Sequence, residues 1–212
     1  MTDTPTPTIE RRAFEMEELR VEGNDGEAPR ISGHAAVFDK LSQDLGGFRE
    51  KIAPGAFRSS IKGDVRALFN HNPDFILGRT KAGTLTLEED RKGLSVDITP
   101  PDTDMGRSVI EAIRRGDISQ MSFGFRTIKD EWHTDQAGKT VRTLHEVELF
   151  DVSPVTFAAY PQTDVSVAKR SLEAWQAAEE NDGGGEDGPS LSDDARGALA
   201  LMEARTRQAF VP

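Results

Sequence analysis

Three polar residues of the chain, Ser122, His71 and Asp151, have the types that together activate a nucleophile. A serine hydroxyl is a weak nucleophile until a base removes its proton, and histidine commonly acts as that base. A buried carboxylate then holds the imidazole in one tautomer and stabilises its charged form. These residue types predict acyl-transfer chemistry, provided that the fold brings the three side chains together.

The serine lies in a run, "SQMSFGF", that otherwise predicts a buried strand. Side chains alternate across a strand, so Met121, Phe123 and Phe125 share the core face, while Ser122 and Gly124 share the opposite face. On composition alone, the favoured interpretation is that Ser122 is a polar residue on the solvated face of a strand. The chemical interpretation is that Ser122 is a rigidly held nucleophile and that Gly124 leaves room for a substrate backbone.

His71 and Asp151 each lie at the predicted end of a strand. His71 ends "VRALFNH", and a hydrogen bond within the following turn is the alternative explanation for its presence. In "LHEVELFDVSPV" the alternation places Asp151 on the apolar face of Val147 and Leu149, where a carboxylate needs a partner. The alternative is an aspartate that starts the "DVSP" turn.

Other residues are kept as rivals or set aside. Among the histidines, His145 on the predicted strand of Asp151 is kept as the rival of His71 for the base, whereas His34 is interpreted as structural and His133 as exposed. Gly78 and Arg79 belong to a predicted turn whose backbone could donate to an oxyanion. The chain has no cysteine, HExxH motif or histidine cluster, so the sequence predicts neither a metal nor another cofactor.

The composition limits the partners. The formal net charge of −11 argues against general nucleic-acid binding, which depends on neutralising phosphates. No apolar stretch approaches the ~20 residues of a membrane span, and "MTDTPTPTIERR" has no apolar signal core. We therefore expect neither nucleic acid nor a membrane as a partner, and the absence of cysteine suits a reducing, intracellular setting.

The predicted elements are mostly short strands bounded by Gly, Pro or Asp. They cover residues 31–38, 65–71, 84–89, 93–99, 119–128 and 143–157. Helices are predicted for residues 54–62 and 102–117, the second with Asp104 as N-cap and Gly116 as C-cap. This pattern predicts a mainly β domain, specifically a closed β-barrel with flanking helices.

Both ends of the chain are predicted to be appendages. We expect a disordered N-terminal arm over residues 1–28, one domain over residues 29–168 and a flexible acidic C-terminal tail over residues 169–212. Within the tail, residues 181–190 have the composition of a flexible linker, and residues 191–210 have the pattern of a capped amphipathic helix.

Five segments, in this order, resemble the prohead (capsid maturation) protease family of tailed bacteriophages, in the branch that accompanies HK97-type capsid proteins. They are "GHAAVFD", "EKIAPGAF", "LFNHNPDFILGRTKAGTLTLEEDRKGLSVDI", "RRGDISQMSFGF" and "VELFDVSPVTFAAYP". The resemblance covers about residues 30–165. It implies a serine endopeptidase whose fold is similar to that of the herpesvirus assembly proteases, a closed β-barrel wrapped by helices.

The resemblance also implies roles for individual residues. The histidine of the family's "NH" motif, its general base, corresponds to His71, and the serine of its "MSFGF" motif, the nucleophile, corresponds to Ser122. The carboxylate before "VSPV" is the usual candidate for the third member, which here is Asp151. The herpesvirus relatives use a second histidine there, so His145 stays open as the alternative.

A place and partners follow from the same resemblance. Family members act in the host cytoplasm, inside the immature capsid (prohead), where they cut scaffold segments or extensions of the major capsid protein and then themselves. A homo-oligomer is compatible with this role. The alternative function is a non-catalytic capsid-assembly or scaffolding protein that keeps the barrel, although such a protein would not require the three polar residues.

Overall fold

The computed structural model describes residues 9–15, 19–23, 28–157 and 166–182. The chain divides into two compact units, Met1–Leu172 and Glu173–Pro212, and the fold described below is that of the first. It is mainly β, as the many short apolar alternations predict.

Ten strands and two α-helices are present among the described residues. The strands are β1 (Glu10–Glu15), β2 (Arg20–Glu22), β3 (Arg30–Val37), β4 (Phe48–Ile52), β5 (Arg66–Phe69), β6 (Asn72–Arg79), β7 (Leu85–Glu89), β8 (Gly93–Ile98), β9 (Gln120–Thr134) and β10 (Thr140–Val155). The helices are α1 (Asp104–Arg114) and α2 (Ser166–Asp182). The six predicted strands correspond to β3, β5, β7, β8, β9 and β10.

The strands form two sheets. The first has the order β1-β9-β10-β5-β6, and β4 pairs in parallel with the start of β10. The second has the order β2-β3-β8-β7 and is antiparallel throughout. In the first sheet, β10 pairs with β9 along its whole length, with β4 near its start and with β5 near its end. The long β9–β10 pair therefore organises this sheet.

The prediction of a closed barrel is wrong for the described residues, in which no closed barrel is found. The physical reason lies between β6 and β7. There the chain turns through a short 3₁₀ helix (Thr80–Ala82) and the left-handed Gly83 (φ +69°), so that β7 pairs with β8 rather than with β6. Side-chain alternation determines which residues lie on each face of a strand. It does not determine which strand pairs with which, so the sequence pattern could not show whether the sheet closes into a barrel.

One hydrophobic core draws residues from both sheets and from α1. Met121, Phe123 and Phe125 are fully buried members of this core, which confirms the predicted core face of β9. Phe123 packs edge-on against Phe57, with 5.4 Å between ring centroids, and stacks on Phe125 at 5.0 Å. Because these rings fix one face of β9, the opposite face is held in a constant orientation.

Helix α1 forms within the predicted residues 102–117 and buries its apolar stripe. That stripe comprises Val109, Ile110 and Ile113. Its N-cap is Thr103 rather than the predicted Asp104, because the Thr103 side chain accepts a hydrogen bond from the Gly106 N–H. The C-cap is Arg115 rather than the predicted Gly116, which is the next residue and turns the chain with a left-handed φ of +81°.

The helix predicted over residues 54–62 is wrong. The segment consists of turns that end in a short 3₁₀ helix, Ser60–Lys62. Gly55 adopts a φ of +95°, which is incompatible with an α-helix, and the segment therefore forms turns instead.

The N-terminal arm, predicted to be disordered, contains two strands. β1 pairs with β9, and its Arg12 and Glu10 are buried although their charges suggested exposure. At the other end, α2 runs to Asp182, so the predicted flexible tail begins as a helix. The predicted helix over residues 191–210 lies outside the described residues. Neither described α-helix combines the length and apolarity that crossing a membrane requires.

Candidate active site

Ser122 lies near the start of β9, between two paired strands. It is opposite Ser153 of β10 on one side and Ala13 of β1 on the other. Because its neighbours Met121 and Phe123 point into the core, the Ser122 hydroxyl points from the opposite face, as predicted. The side chain is held rigidly and is completely buried.

His71 belongs to the tight turn that joins β5 to β6. Asn70 and His71 have φ angles of +54° and +56°, and Phe69 pairs with Asn72 across them. Two-residue hairpins of type I′ require positive φ at both central residues, a conformation that asparagine tolerates and that is less common for histidine. The turn therefore aims the imidazole in a direction that a continuing strand could not provide.

The side chain of Asn70 fixes this turn to the end of β10. Its Nδ2 donates to Thr156 Oγ1 at 3.1 Å, and its Oδ1 accepts from the Thr156 N–H at 2.8 Å. The Asn70 N–H also donates to the Pro154 carbonyl at 3.1 Å. Sequence reasoning missed this residue, although an asparagine at the first position of a two-residue turn was a usable signal.

Asp151 reaches the site because β10 contains a β-bulge. Leu149 pairs with Phe125, whereas Asp151 pairs with Gly124, so Phe150 is an extra residue on β10. The bulge reverses the alternation and moves Asp151 onto the face of Ser122. The prediction that Asp151 shares a face with Leu149 is therefore wrong, whereas the prediction that its carboxylate has a buried partner is confirmed.

The three candidate residues form one hydrogen-bonded chain. Asp151 Oδ1 lies 2.6 Å from His71 Nδ1, and Ser122 Oγ lies 2.7 Å from His71 Nε2. An ionised carboxylate can only accept, so Nδ1 carries the ring proton and Nε2 accepts from the serine hydroxyl. This is the arrangement in which a histidine can act as a base toward a serine.

Two neighbours complete the surroundings of Asp151. The Ser153 hydroxyl, which is fully buried, donates to Asp151 Oδ1 at 2.8 Å. A methyl group at Gly124 would overlap Asp151 Oδ2. Gly124 thus makes room for the carboxylate of the site rather than for a substrate backbone, which corrects the sequence prediction. The position of Ser153, two residues after Asp151 on the same strand, was the signal that could have identified it.

The rival residues are not part of this chain. His145 Nε2 lies 3.0 Å from Glu131 Oε2, and His34 Nε2 lies 2.8 Å from Asp90 Oδ2. The Arg79 N–H donates to Thr84 Oγ1 at 3.0 Å, so this backbone amide, considered above as an oxyanion donor, is already occupied. In the described part of the chain, no group of three or more His, Asp or Glu side chains is arranged to hold a metal ion.

A second buried polar group, here called the ionic cluster, consists of Glu10, Arg12, Glu50 and Arg142. Arg12 Nε lies 2.7 Å from Glu50 Oε1, and Arg142 Nη1 lies 2.8 Å from Glu10 Oε2 and 3.0 Å from Glu50 Oε2. Arg142 Nε also contacts Asp130 Oδ2 at 2.7 Å. Every charge in the cluster therefore has at least one opposite partner.

The ionic cluster lowers the pKa of Glu10 and raises the pKa values of Arg12 and Arg142. Burial raises the pKa of the Glu10 carboxyl, but the charge and hydrogen bond of Arg142 and the charge of Arg12 outweigh it and leave this pKa below its usual value of 4.5. Burial lowers the pKa of Arg142, but the charges of Glu50 and Glu10 raise it by more, so the net change is an increase.

Outside the ionic cluster, near the surface, hydrogen bonds from Arg79 lower the pKa of Asp64 to about 2.

Comparison with known proteins identifies one matching family. Residues 14–178 match the family model described as caudovirus prohead serine protease, a range that contains all three residues of the hydrogen-bonded chain. A solved structure of the bacteriophage T4 capsid assembly protease is similar over 70% of this chain and 98% of its own, with 12% identity and a TM-score of 0.46. No curated protein matches the chain.

Proposed function

The chain belongs to the caudovirus prohead serine protease family, and we propose that Ser122, His71 and Asp151 are its nucleophile, general base and orienting carboxylate. The observation that carries this proposal is the pair of short hydrogen bonds, 2.7 Å and 2.6 Å, that joins the three side chains through one imidazole. A scaffolding protein has no need for this arrangement, which supports the catalytic function over the non-catalytic alternative.

The first half of the reaction forms an acyl-enzyme. Ser122 Oγ attacks the scissile carbonyl carbon while its proton passes to His71 Nε2, giving a tetrahedral intermediate whose oxygen carries the negative charge. The intermediate collapses, the carbon–nitrogen bond breaks, and His71 gives the proton to the leaving amine. In the second half, water attacks the ester carbon and its proton passes to His71. The carbon–Oγ bond then breaks, His71 returns the proton to Ser122 Oγ, and the peptide leaves with a new carboxyl terminus.

Asp151 supports both halves by holding the imidazole. Its Oδ1 accepts from His71 Nδ1 and from the Ser153 hydroxyl, so the carboxylate is fixed by two donors at 2.6 Å and 2.8 Å. When His71 becomes an imidazolium ion, the negative charge of Asp151 stabilises it in a site from which water is largely excluded. Asn70 and Ser153 are positioning residues, because each acts through another member of the site.

The burial of the site limits access of a protein substrate. Ser122 is completely buried, and the side chains of His71 and Asp151 are each 10% exposed. A peptide bond must come within about 3–3.5 Å of the attacking oxygen to react. The atoms that cover Ser122 must therefore move before a substrate can be cut. The described conformation is thus one in which the nucleophile is closed off from a protein substrate.

The substrates of this protease are the major capsid protein and scaffold segments of the same phage, cut within the prohead in the host cytoplasm. Self-cleavage and assembly into a homo-oligomer belong to the same proposal. The family match supports the class of substrate, and the triad supports hydrolysis of a peptide bond as the reaction.

The test is co-expression of the wild-type chain or of Ser122→Ala with the cognate major capsid protein, followed by intact mass measurement of both proteins. Ser119→Ala removes an exposed hydroxyl three residues away and is the matched control. We expect defined cleavage with the wild type and Ser119→Ala and none with Ser122→Ala. Cleavage that persists in Ser122→Ala would rule out the nucleophile, and no cleavage by any chain would favour the scaffolding function.

A further inference from the structure

A small cavity opens between α1 and the strand ends that carry the triad. Its volume is about 360 Å³, at the small end of the roughly 300–1,000 Å³ typical of ligand pockets. This size suits one or two side chains rather than a folded partner. The apolar residues that line it are Phe69, Phe75, Met105, Val109, Ala112 and Ile118.

Each triad member has a residue of the cavity lining within five residues of it in the sequence, although no triad residue lines the cavity itself. Phe69 directly precedes the turn that carries His71, and Ile118 lies four residues before the proposed nucleophile. Thr156 also lines the cavity, and its backbone and hydroxyl are hydrogen-bonded to Asn70. Each of the three strand ends that contribute to the triad thus also contributes a wall of the cavity.

The lining favours an apolar ligand. Asp117 is the one ionisable side chain among the lining residues, and its Oδ2 lies 3.1 Å from Arg115 Nε, so its charge is already paired. Phe75 is 41% exposed at the cavity, and Phe157, which is 75% exposed, directly follows Thr156. Contiguous exposed apolar surface marks ligand-binding grooves, and the Phe75 ring belongs to such a surface at the cavity.

We propose that this cavity is the specificity pocket of the protease and that it binds an apolar side chain, aliphatic or aromatic, of the substrate close to the scissile bond. This inference rests on the proposed function, since it needs a peptide held at Ser122. The position of the cavity beside the turn that carries His71, with Thr156 of its lining hydrogen-bonded to Asn70 of that turn, favours a substrate side chain over a second copy of the chain.

The expected selectivity follows from the size of the pocket. One methylene more or less in a hydrophobic pocket changes kcat/KM by about 10- to 200-fold. We therefore expect peptides with leucine, isoleucine, methionine or phenylalanine at one fixed position to be cleaved at least tenfold faster, in kcat/KM, than the same peptides with glycine, aspartate or lysine there. A peptide library prepared by digestion of a proteome, with the cleaved products identified by mass spectrometry, measures this preference.

Filling the pocket tests its role directly. Ala112 is a half-buried lining residue, and Ala112→Phe places a ring in the cavity. We expect kcat/KM for the preferred peptide to fall at least tenfold, while the same peptide with alanine at that position is affected less. Ala82→Phe is the matched control, because Ala82 is exposed in the 3₁₀ turn after β6, at the opposite end of that strand from His71.

A second variant covers the case in which Ala112→Phe does not fold. Phe75→Ala removes a half-exposed ring from the cavity wall and leaves the core intact. We expect a several-fold loss of kcat/KM that is largest for the most apolar peptides. Leu41→Ala is its control, because Leu41 is similarly exposed (42%) and does not line the cavity.

Labelling with a fluorophosphonate separates failure of the pocket from failure of the proposed function. The reagent reacts with an activated serine and needs no substrate side chain. If the wild type and all four variants are labelled at Ser122 but show the same peptide preference, the pocket proposal is wrong and the triad stands. A change in oligomeric mass without a change in preference would instead make the cavity an interface between copies. If the wild type is neither labelled nor active, the proposed function itself fails.

Discussion

Two buried polar groups each include a residue of strand β10, and they differ in what their protons can do. In the triad, His71 stands between a hydroxyl and a carboxylate, an arrangement in which the imidazole can accept a proton from the serine. In the ionic cluster, Arg12 and Arg142 face Glu10 and Glu50, and an arginine side chain does not release its proton in a protein. Strand β10 thus contributes one residue to a group suited to chemistry and one to a group suited only to structure.

The difference lies in how the charges are satisfied. Each carboxylate of the ionic cluster faces a permanent opposite charge, so any substitution leaves an uncompensated charge in the interior. The triad contains a single carboxylate, Asp151, which is held by hydrogen bonds from His71 and Ser153. Substitutions in the triad should therefore affect the rate, and substitutions in the cluster should affect stability.

The largest expected effect is that of His71→Ala on the rate. Without the base, the Ser122 hydroxyl keeps its proton, and we expect kcat to fall by about 10⁴- to 10⁶-fold with little loss of thermal stability. His145→Ala is the matched control, because His145 contacts Glu131 and no member of the triad. Peptide cleavage and thermal unfolding of both variants measure the contrast, and an activity loss confined to His145→Ala would reverse the assignment.

The next effect is the loss of stability in Arg142→Met. The substitution leaves Glu10 and Glu50 with Arg12 as their one remaining cation in the cluster, and breaking a buried ion pair costs about 3–5 kcal/mol. The control is Arg126→Met, whose half-exposed ion pair with Glu148 should contribute about 1 kcal/mol or less. Urea unfolding gives both values. Equal values for the two variants would show that the ionic cluster is not a structural element.

A smaller effect on the rate is expected for Ser153→Ala. The variant removes one of two donors to Asp151 Oδ1, and a hydrogen bond to a charged group contributes about 1.5–3 kcal/mol. We expect kcat to fall roughly tenfold with KM unchanged, and Ser153→Thr to recover part of the rate. In Ser95→Ala, the control, the lost hydroxyl bonds to the Glu88 carbonyl in the second sheet, and its kcat should be unchanged. An unchanged kcat in Ser153→Ala would remove the positioning role.

The smallest effect is a change in the pH dependence of stability. The pKa of Glu10 is lower in the folded chain than its usual value of 4.5. The ionised carboxylate therefore stabilises the folded state above pH 4.5, and this stabilisation is lost as the pH falls through the lowered pKa. The wild-type free energy of unfolding should fall between about pH 5 and pH 3, and Glu10→Gln should show a smaller slope, by up to about 1.4 kcal/mol per pH unit.

Glu148→Gln on β10 controls for the removal of a negative charge as such, because Glu148 is half exposed and paired at the surface with Arg126. Urea unfolding at several pH values measures all three chains. The structural role of Glu10 is contradicted if Glu10→Gln keeps the full wild-type slope.

The sequence indicated which residues lie together in the candidate site better than the means by which they meet. Alternation predicted that Met121 and Phe123 face the core and that Ser122 lies on the opposite face, because the period of a strand is a local property. The bulge at Phe150 is not visible in that period, since it depends on how β10 pairs with β9. For this reason Asp151 was identified as a candidate but was predicted on the wrong face.

The burial of β1 was missed for a related reason. Glu10 and Arg12 are charged, and a charged segment normally lies in water. Their partners, Glu50 and Arg142, are distant in the sequence, so nothing local indicated that the charges would be paired in the interior. Long-range pairing likewise determines which sheet β7 joins, and the predicted barrel closure failed there.

The most direct test of the central claim is the rate and position of labelling by a fluorophosphonate, mapped by peptide mass spectrometry on the full chain. We expect one adduct, on Ser122 rather than on the nearby Ser119, with labelling lost in Ser122→Ala and greatly slowed in His71→Ala. An adduct on another serine, or equal labelling rates in the wild type and His71→Ala, would contradict the triad.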